Sequence, residues 1–283
     1  MRGLMSPAFR LVPRFRHPAS WLPGPARKPP SGWRGLAGNS PAIIRRKVLP
    51  LAILSFLIAW PYGADPVQRA QDLYDSGDFL AAARISGASE TAEGYALAAG
   101  SLAAHAHFNA SPADAGVLLE QALELAETAA EMESDNPDIL VQFARVMGRY
   151  AQLIGPGRAA NEGYGSRIKE VLDNAHGIDP GNPAIELLLA TWHMEIVSQG
   201  GFLGALAFGA SRKMALRHYR EAASLDPESI TVLYEYGRGL LELDRARYLA
   251  DATRLLKVSL SLPARTEFDR KTQENARKLL ERL

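Results

Sequence analysis

A chain with six histidines and no cysteine has few ways to build a reactive centre. Thiolate nucleophiles, thiolate metal sites and disulfides all require the missing residue. A histidine metal site needs ligands that converge on one point. His105 and His107 are two residues apart, which on a helix places them about 200° apart around the axis, so one ion cannot take both. His193 lies beside Trp192 and two residues before Glu195, but no second histidine follows at metal spacing and no His-Glu-x-x-His pattern occurs. Gly204-Ala-Leu-Ala-Phe-Gly209-Ala-Ser211 has the glycine spacing of a phosphate loop, yet Ala210 stands where the loop's lysine is required. No Gly-x-Ser-x-Gly elbow and no Gly-x-Gly-x-x-Gly turn is present. The expectation is a protein without catalytic residues, cofactor or metal, whose function rests on recognition.

Recognition surfaces depend on where charge is placed. The 32 basic and 31 acidic residues nearly cancel, but residues 1–64 carry ten Arg or Lys and no acid. That leaves 22 basic against 31 acidic residues in 65–283, a formal charge of −9. An acidic body argues against nucleic acid, because phosphate backbones need a basic surface.

The front of the chain reads as two pieces. Residues 1–43 hold eight of the eighteen prolines among Arg, Gly and Ser, a composition that does not build a core, and are expected to be a disordered or mis-assigned extension. Residues 44–64 contain Arg45-Arg46-Lys47, the 13-residue apolar run Val48 to Trp60, and Pro61-Tyr62-Gly63-Ala64 before the first acid, Asp65. This is the layout of a signal peptide. The run is short for a membrane helix, which needs about 20 apolar residues, but Tyr62 departs from the small-x-small exit rule and keeps an uncleaved anchor open. The expected location is periplasmic or secreted, with inner-membrane anchoring as the alternative.

From Asp65 onward the chain is rich in Ala, Leu and Glu, and the apolar spacing predicts helices over 66–76, 79–86, 91–108, 114–133, 138–153, 164–177, 184–198, 208–224, 230–243, 247–260 and 266–282. The unit repeats. Ala175-His-Gly-Ile-Asp179-Pro180 recurs as Ala222-Ala-Ser-Leu-Asp226-Pro227 at an offset of 47, and Asn136-Pro137-Asp138-Ile139 as Asn182-Pro183-Ala184-Ile185 at 46. These units resemble tetratricopeptide repeats, whose ~34 residues pair two antiparallel helices. Ala70, Leu73, Gly77, Phe79 and Ala82 fall at that repeat's small, large, turn, aromatic and small positions. The excess length is expected in linkers at Gly155–Gly163 and Gly200–Gly209. The second is read as a tight connection, or else an apolar flap over the groove or a patch for lipid or an apolar ligand, with the basic Arg212, Lys213, Arg217 and Arg220 following as a solvated face.

The fold expected is therefore all-α, an antiparallel helix-hairpin solenoid over residues 65–283. In tetratricopeptide arrays the first helix of each hairpin lines the concave surface. Counting units from Pro137, Pro183 and Ile230 places Arg145 and Arg149, then Thr191 and Glu195, then Tyr234, Arg238 and Glu242 on that surface. Arginine offers a rigid donor fork and tyrosine a large amphipathic plate, the types that dominate recognition energies. A blander possibility is that Arg145 and Glu195 pair with each other.

The tail is more specific. Pro263-Ala264-Arg265-Thr266-Glu267-Phe268-Asp269, followed by Gln273, Ala276 and Leu279-Leu280, resembles the C-terminal signature of the regulator of microtubule dynamics family, and Trp192, in the helix after Asn182-Pro183, resembles that family's tryptophan. The resemblance covers roughly residues 115–283 and implies a tetratricopeptide-like domain that tethers or contacts partners. Physically, Thr266 with Asp269 reads as a helix start and Leu279-Leu280 as the apolar face of a closing helix. The function expected is a scaffold that docks a protein or peptide in its groove. The alternatives are a transport accessory carrying a small apolar or anionic ligand, a membrane-anchored tether and, less favoured, microtubule association.

Overall fold

The computed structural model describes residues 65–283; the expectations for residues 1–43 and 44–64 lie outside the described residues. The described residues form helices α1 (Pro66–Ser76), α2 (Phe79–Gly87), α3 (Ala92–Phe108), α4 (Pro112–Met132), α5 (Pro137–Ile154), α6 (Pro156–Asn161), α7 (Tyr164–Ile178), α8 (Pro183–Phe208), α9 (Arg212–Leu225), α10 (Ile230–Ser261) and α11 (Glu267–Leu280). Four of them start the same way. Asp65, Ser111, Asn136 and Asn182 cap α1, α4, α5 and α8 by accepting a backbone N–H, and proline follows at the first helical position. Proline has no N–H to leave orphaned there, and its fixed φ already suits the helix.

The helices pack as hairpins, with α1, α3, α5, α8 and the first half of α10 stacked as successive inner layers, each touching the next. α3 carries no polar stripe, because alanines bury on nearly every side of it: Ala92, Ala96, Ala98, Ala99, Ala103, Ala104 and Ala106 all lie in the core. Small side chains let α2, α4 and α5 approach it closely. The core continues through Phe143, Met147, Leu172 and Ile185 to a second cluster around Met194, Tyr219 and Val232.

Two long helices fold back on themselves. α10 breaks at Asp244 (φ −169°, ψ 92°), whose carboxylate accepts from Arg247 N at 3.1 Å and so caps the second half. That half returns so closely that a Cβ on Gly237 would stand 3.1 Å from Leu256. α8 breaks at Gly201 (φ 56°), a left-handed position suited to glycine, and then continues to Phe208. The sequence predicts an irregular linker over Gly200–Gly209 and a helix from residue 208. Instead α8 resumes after Gly201, Gly209 ends it in the αL conformation, and Ser211 caps α9. The resumed turns lie against α7 and α8, with Phe208 edge-on to Trp192, rather than over the groove as a flap. The Gly155–Gly163 linker likewise contains the short helix α6.

The tail residues have structural roles. Thr266 and Asp269 form a reciprocal capping box at the start of α11. Gln273 donates to Ser259 O (2.8 Å) and Leu262 O (2.9 Å), satisfying carbonyls at the end of α10. Ala276 is fully buried. Phe268 reaches the other end of the array, stacking on Tyr74 (6.3 Å between centroids) and edge-on to Phe108 (5.1 Å). Gly77, at φ 93°, admits the Glu267 side chain where a Cβ would be 2.6 Å from its Cγ. First hairpin and last helix thus meet, and the inner layers face an enclosed groove.

Candidate functional site

The groove is built by residues three or four apart on each inner helix, the spacing that keeps side chains on one face. α5 contributes Arg145, Arg149 and Gln152, α8 contributes Thr191 and Glu195, and the first half of α10 contributes Tyr234, Glu235, Arg238 and Glu242. Tyr74 from α1 and His107 from the end of α3 complete it.

Arg238 is fully committed. Its guanidinium donates to Glu235 at 2.8 Å and lies 3.8 Å from Glu195. Burial alone would raise the Glu235 carboxyl, but Arg238 and then Arg149 hold it below its usual range. Glu195 goes the other way: burial pushes it up against the pull of Arg238. It also accepts from Gln152 (3.2 Å) and from Gln199. The possible Arg145–Glu195 pair is not formed, because Arg238 occupies that carboxylate.

Arg149 has a different partner. Its NH1 donates to His107 Nδ1 at 3.1 Å. The ring keeps an exposed edge, but enclosure, reinforced by the neighbouring Arg149 charge, lowers the His107 pKa to about 4, so a neutral imidazole has a lone pair to offer. Enclosure also lowers the pKa of Arg149. Arg145 donates only a long 3.4 Å bond to Gln142. Burial pushes the Tyr74 hydroxyl up to about 12 against the pull of Arg145, and Tyr234 also rises through burial first and then Glu235. Two expected residues on this face join none of its ion pairs among the described residues. Thr191 donates back to Leu187 O at 2.9 Å, and Glu242 is exposed with no ion pair among the described residues.

A polar cluster that sequence reading missed lies under α8. Glu186, 3% exposed, meets His218 Nδ1 at 2.7 Å and His176 Nε2 at 3.0 Å. His193 stacks on His218 with ring centroids 5.6 Å apart. The available signal was a glutamate inside the apolar run Ile185-Glu186-Leu187-Leu188-Leu189, but its partners come from α7 and α9. Among the described residues no group of His, Asp and Glu is arranged to hold a metal. Trp192 donates to Gly165 O at 2.7 Å, anchoring α7, and borders an open cleft of about 390 Å³ with Lys169, Asp173 and Phe208. Among the described residues no helix is long and apolar enough to cross a membrane.

Comparison with known proteins agrees with the repeat geometry. A crystal structure of TTC0263, a thermophilic TPR protein in Thermus thermophilus, superposes with a TM-score of 0.54 at 16% identity, covering 75% of this chain and 97% of that one. At that identity the likeness shows the fold alone: an all-α, tetratricopeptide-like solenoid. No curated protein matches the sequence. The profile of the family described as regulator of microtubule dynamics protein 1-3 matches residues 89–283, which includes both Trp192 and the Phe268 tail, and the chain belongs to that family.

Proposed function

We propose that this protein is a non-enzymatic scaffold that docks a protein or peptide partner in the groove of its tetratricopeptide-like array. The observation that carries the proposal is the convergence of Arg145, Arg149, Tyr234, Glu235 and Arg238 from two inner helices on one enclosed face, with Tyr74 and His107 closing it. Enclosure strengthens each polar contact a partner makes, and the arginines supply directional donors. The test is affinity capture with the purified protein and with an Arg145→Ala, Arg149→Ala variant whose thermal melting matches it. Partner recovery should fall at least tenfold in the variant, and equal recovery together with no cross-link from a photo-reactive residue at Tyr234 would reject the groove as the docking site.

A second reading, a carrier for a small ligand, is favoured by the cleft beside Trp192 and Phe208, and native mass spectrometry showing a stoichiometric small molecule would support it. Microtubule association, which the family's description names, is less supported for a chain whose body carries −9 and whose front resembles an export signal. The proposed location is periplasmic or secreted, or anchored at the inner membrane through residues 44–64. The N-terminus of the native protein in each cell fraction tests this: a species beginning near Asp65 is exported and cut, and one retaining 44–64 is anchored.

A further inference from the structure

The three groove arginines are not equivalent. Arg238 has two carboxylates, while among the described residues neither Arg145 nor Arg149 has one within 4.0 Å. Each is instead oriented by a neutral acceptor, the Gln142 amide oxygen and the His107 ring nitrogen, which aims a guanidinium without neutralising it. They lie one helical turn apart on the same face of α5, about 6 Å between Cβ atoms, a spacing one oxyanion can bridge. Glu235 acts on Arg149 only from beyond 4.0 Å, and burial lowers the Arg149 pKa in spite of it, so an arriving oxyanion in direct contact replaces hydration that enclosure has removed.

Resting on the docking function above, we infer that Arg145 and Arg149 form a seat for a single carboxylate of the docked peptide, and that the segment carrying it is otherwise neutral or basic. The second half follows from the surroundings. Arg145, Arg149 and Arg238 against Glu195, Glu235 and Glu242 leave the groove with no net positive charge, and the body around it carries −9, so a segment with several acids is repelled everywhere except at the seat. A free chain terminus or one isolated Asp or Glu meets both conditions.

The experiment follows the arginine Nε–Hε NMR signals of the full chain, assigned by Arg→Lys substitution, during titration with a short uncharged peptide bearing a free C-terminal carboxylate, its amidated twin, and inorganic phosphate. The free-carboxylate peptide should move the Arg145 and Arg149 signals and leave Arg238 in place, the amidated peptide should move none, and Arg149→Gln should weaken the response about tenfold or more. Equal responses to both peptides, or movement of Arg238 alone, overturn the seat. A response to phosphate without one to the carboxylate peptide overturns the peptide assignment. Cross-linking of a protein partner at Tyr234 is scored separately, so loss of the seat with the cross-link retained rejects this inference and leaves groove docking standing.

Discussion

Acid should destabilise this fold through His193, and the size of the effect can be worked out. The ring is 4% exposed, edge-on to Trp192 (4.9 Å) and stacked on His218, and its Nδ1 accepts a weak 3.4 Å bond from Ser211 N. Burial, followed by the charges of His218, Lys169 and Arg217 and only partly offset by Asp173, lowers its pKa from 6.5 to about 4. The folded chain therefore resists a proton that the unfolded chain takes. Stability is fully present above pH 6.5, drains as pH falls from 6.5 toward 4, and loses about 3 kcal/mol over that window from this residue. In a His193→Gln variant the amide keeps an acceptor but does not titrate. The variant will lose some packing at every pH, so the quantity to read is the difference between pH 7 and pH 4. Urea unfolding followed by far-UV circular dichroism at several pH values gives it. The difference should be smaller in the variant by about 3 kcal/mol. Parallel curves for the two proteins would show that His193 is not held neutral, and the account of this core would be wrong.

Other expectations follow from the packing. The Tyr219 hydroxyl is buried without a well-formed hydrogen bond, so Tyr219→Phe should be neutral or stabilising by about 1 kcal/mol, visible as a higher Tm in calorimetry. A Cβ on Gly239 would sit 2.3 Å from that same hydroxyl, so Gly239→Ala should cost about 1–3 kcal/mol in urea titrations and recover in part when combined with Tyr219→Phe. Phe268→Ala removes a half-buried ring from contact with Tyr74 and Phe108, and should cost ~2 kcal/mol and raise hydrogen exchange in α1 while leaving α5 protected.

Helices and their starts were legible in the sequence because capping is local: Asn136-Pro137 and Asn182-Pro183 carry their own start signals within two residues. The break at Asp244 was legible as the gap between the helices expected over 230–243 and 247–260, whereas the fold at Gly201 was legible only as a weak point. Glycine marked that second site, but whether the chain beyond it stays helical depends on Phe208 finding Trp192 and Gly165 across space. The inner-face count brought Arg145, Arg149, Tyr234 and Arg238 together. It did not reveal their partners, because His107 reaches Arg149 across 42 residues and Glu235 lies one position outside the counted pattern. The same holds for Glu186, which joins helices that periodicity treats separately. The tail motif was recognisable as a signature, while its contact with Tyr74 and Phe108 depends on the superhelical path of the whole array.

The central claim is that partners enter the groove and meet Arg145 and Arg149. A photo-cross-linking residue at Tyr234, inside the groove, and another at Glu124, exposed on α4, test it most directly when expressed in cells. The account predicts one discrete adduct from position 234, none from 124, and loss of the adduct when Arg145 and Arg149 are both changed to Gln in a protein that still folds. Adducts from position 124 alone, or a 234 adduct indifferent to both arginines, would contradict it.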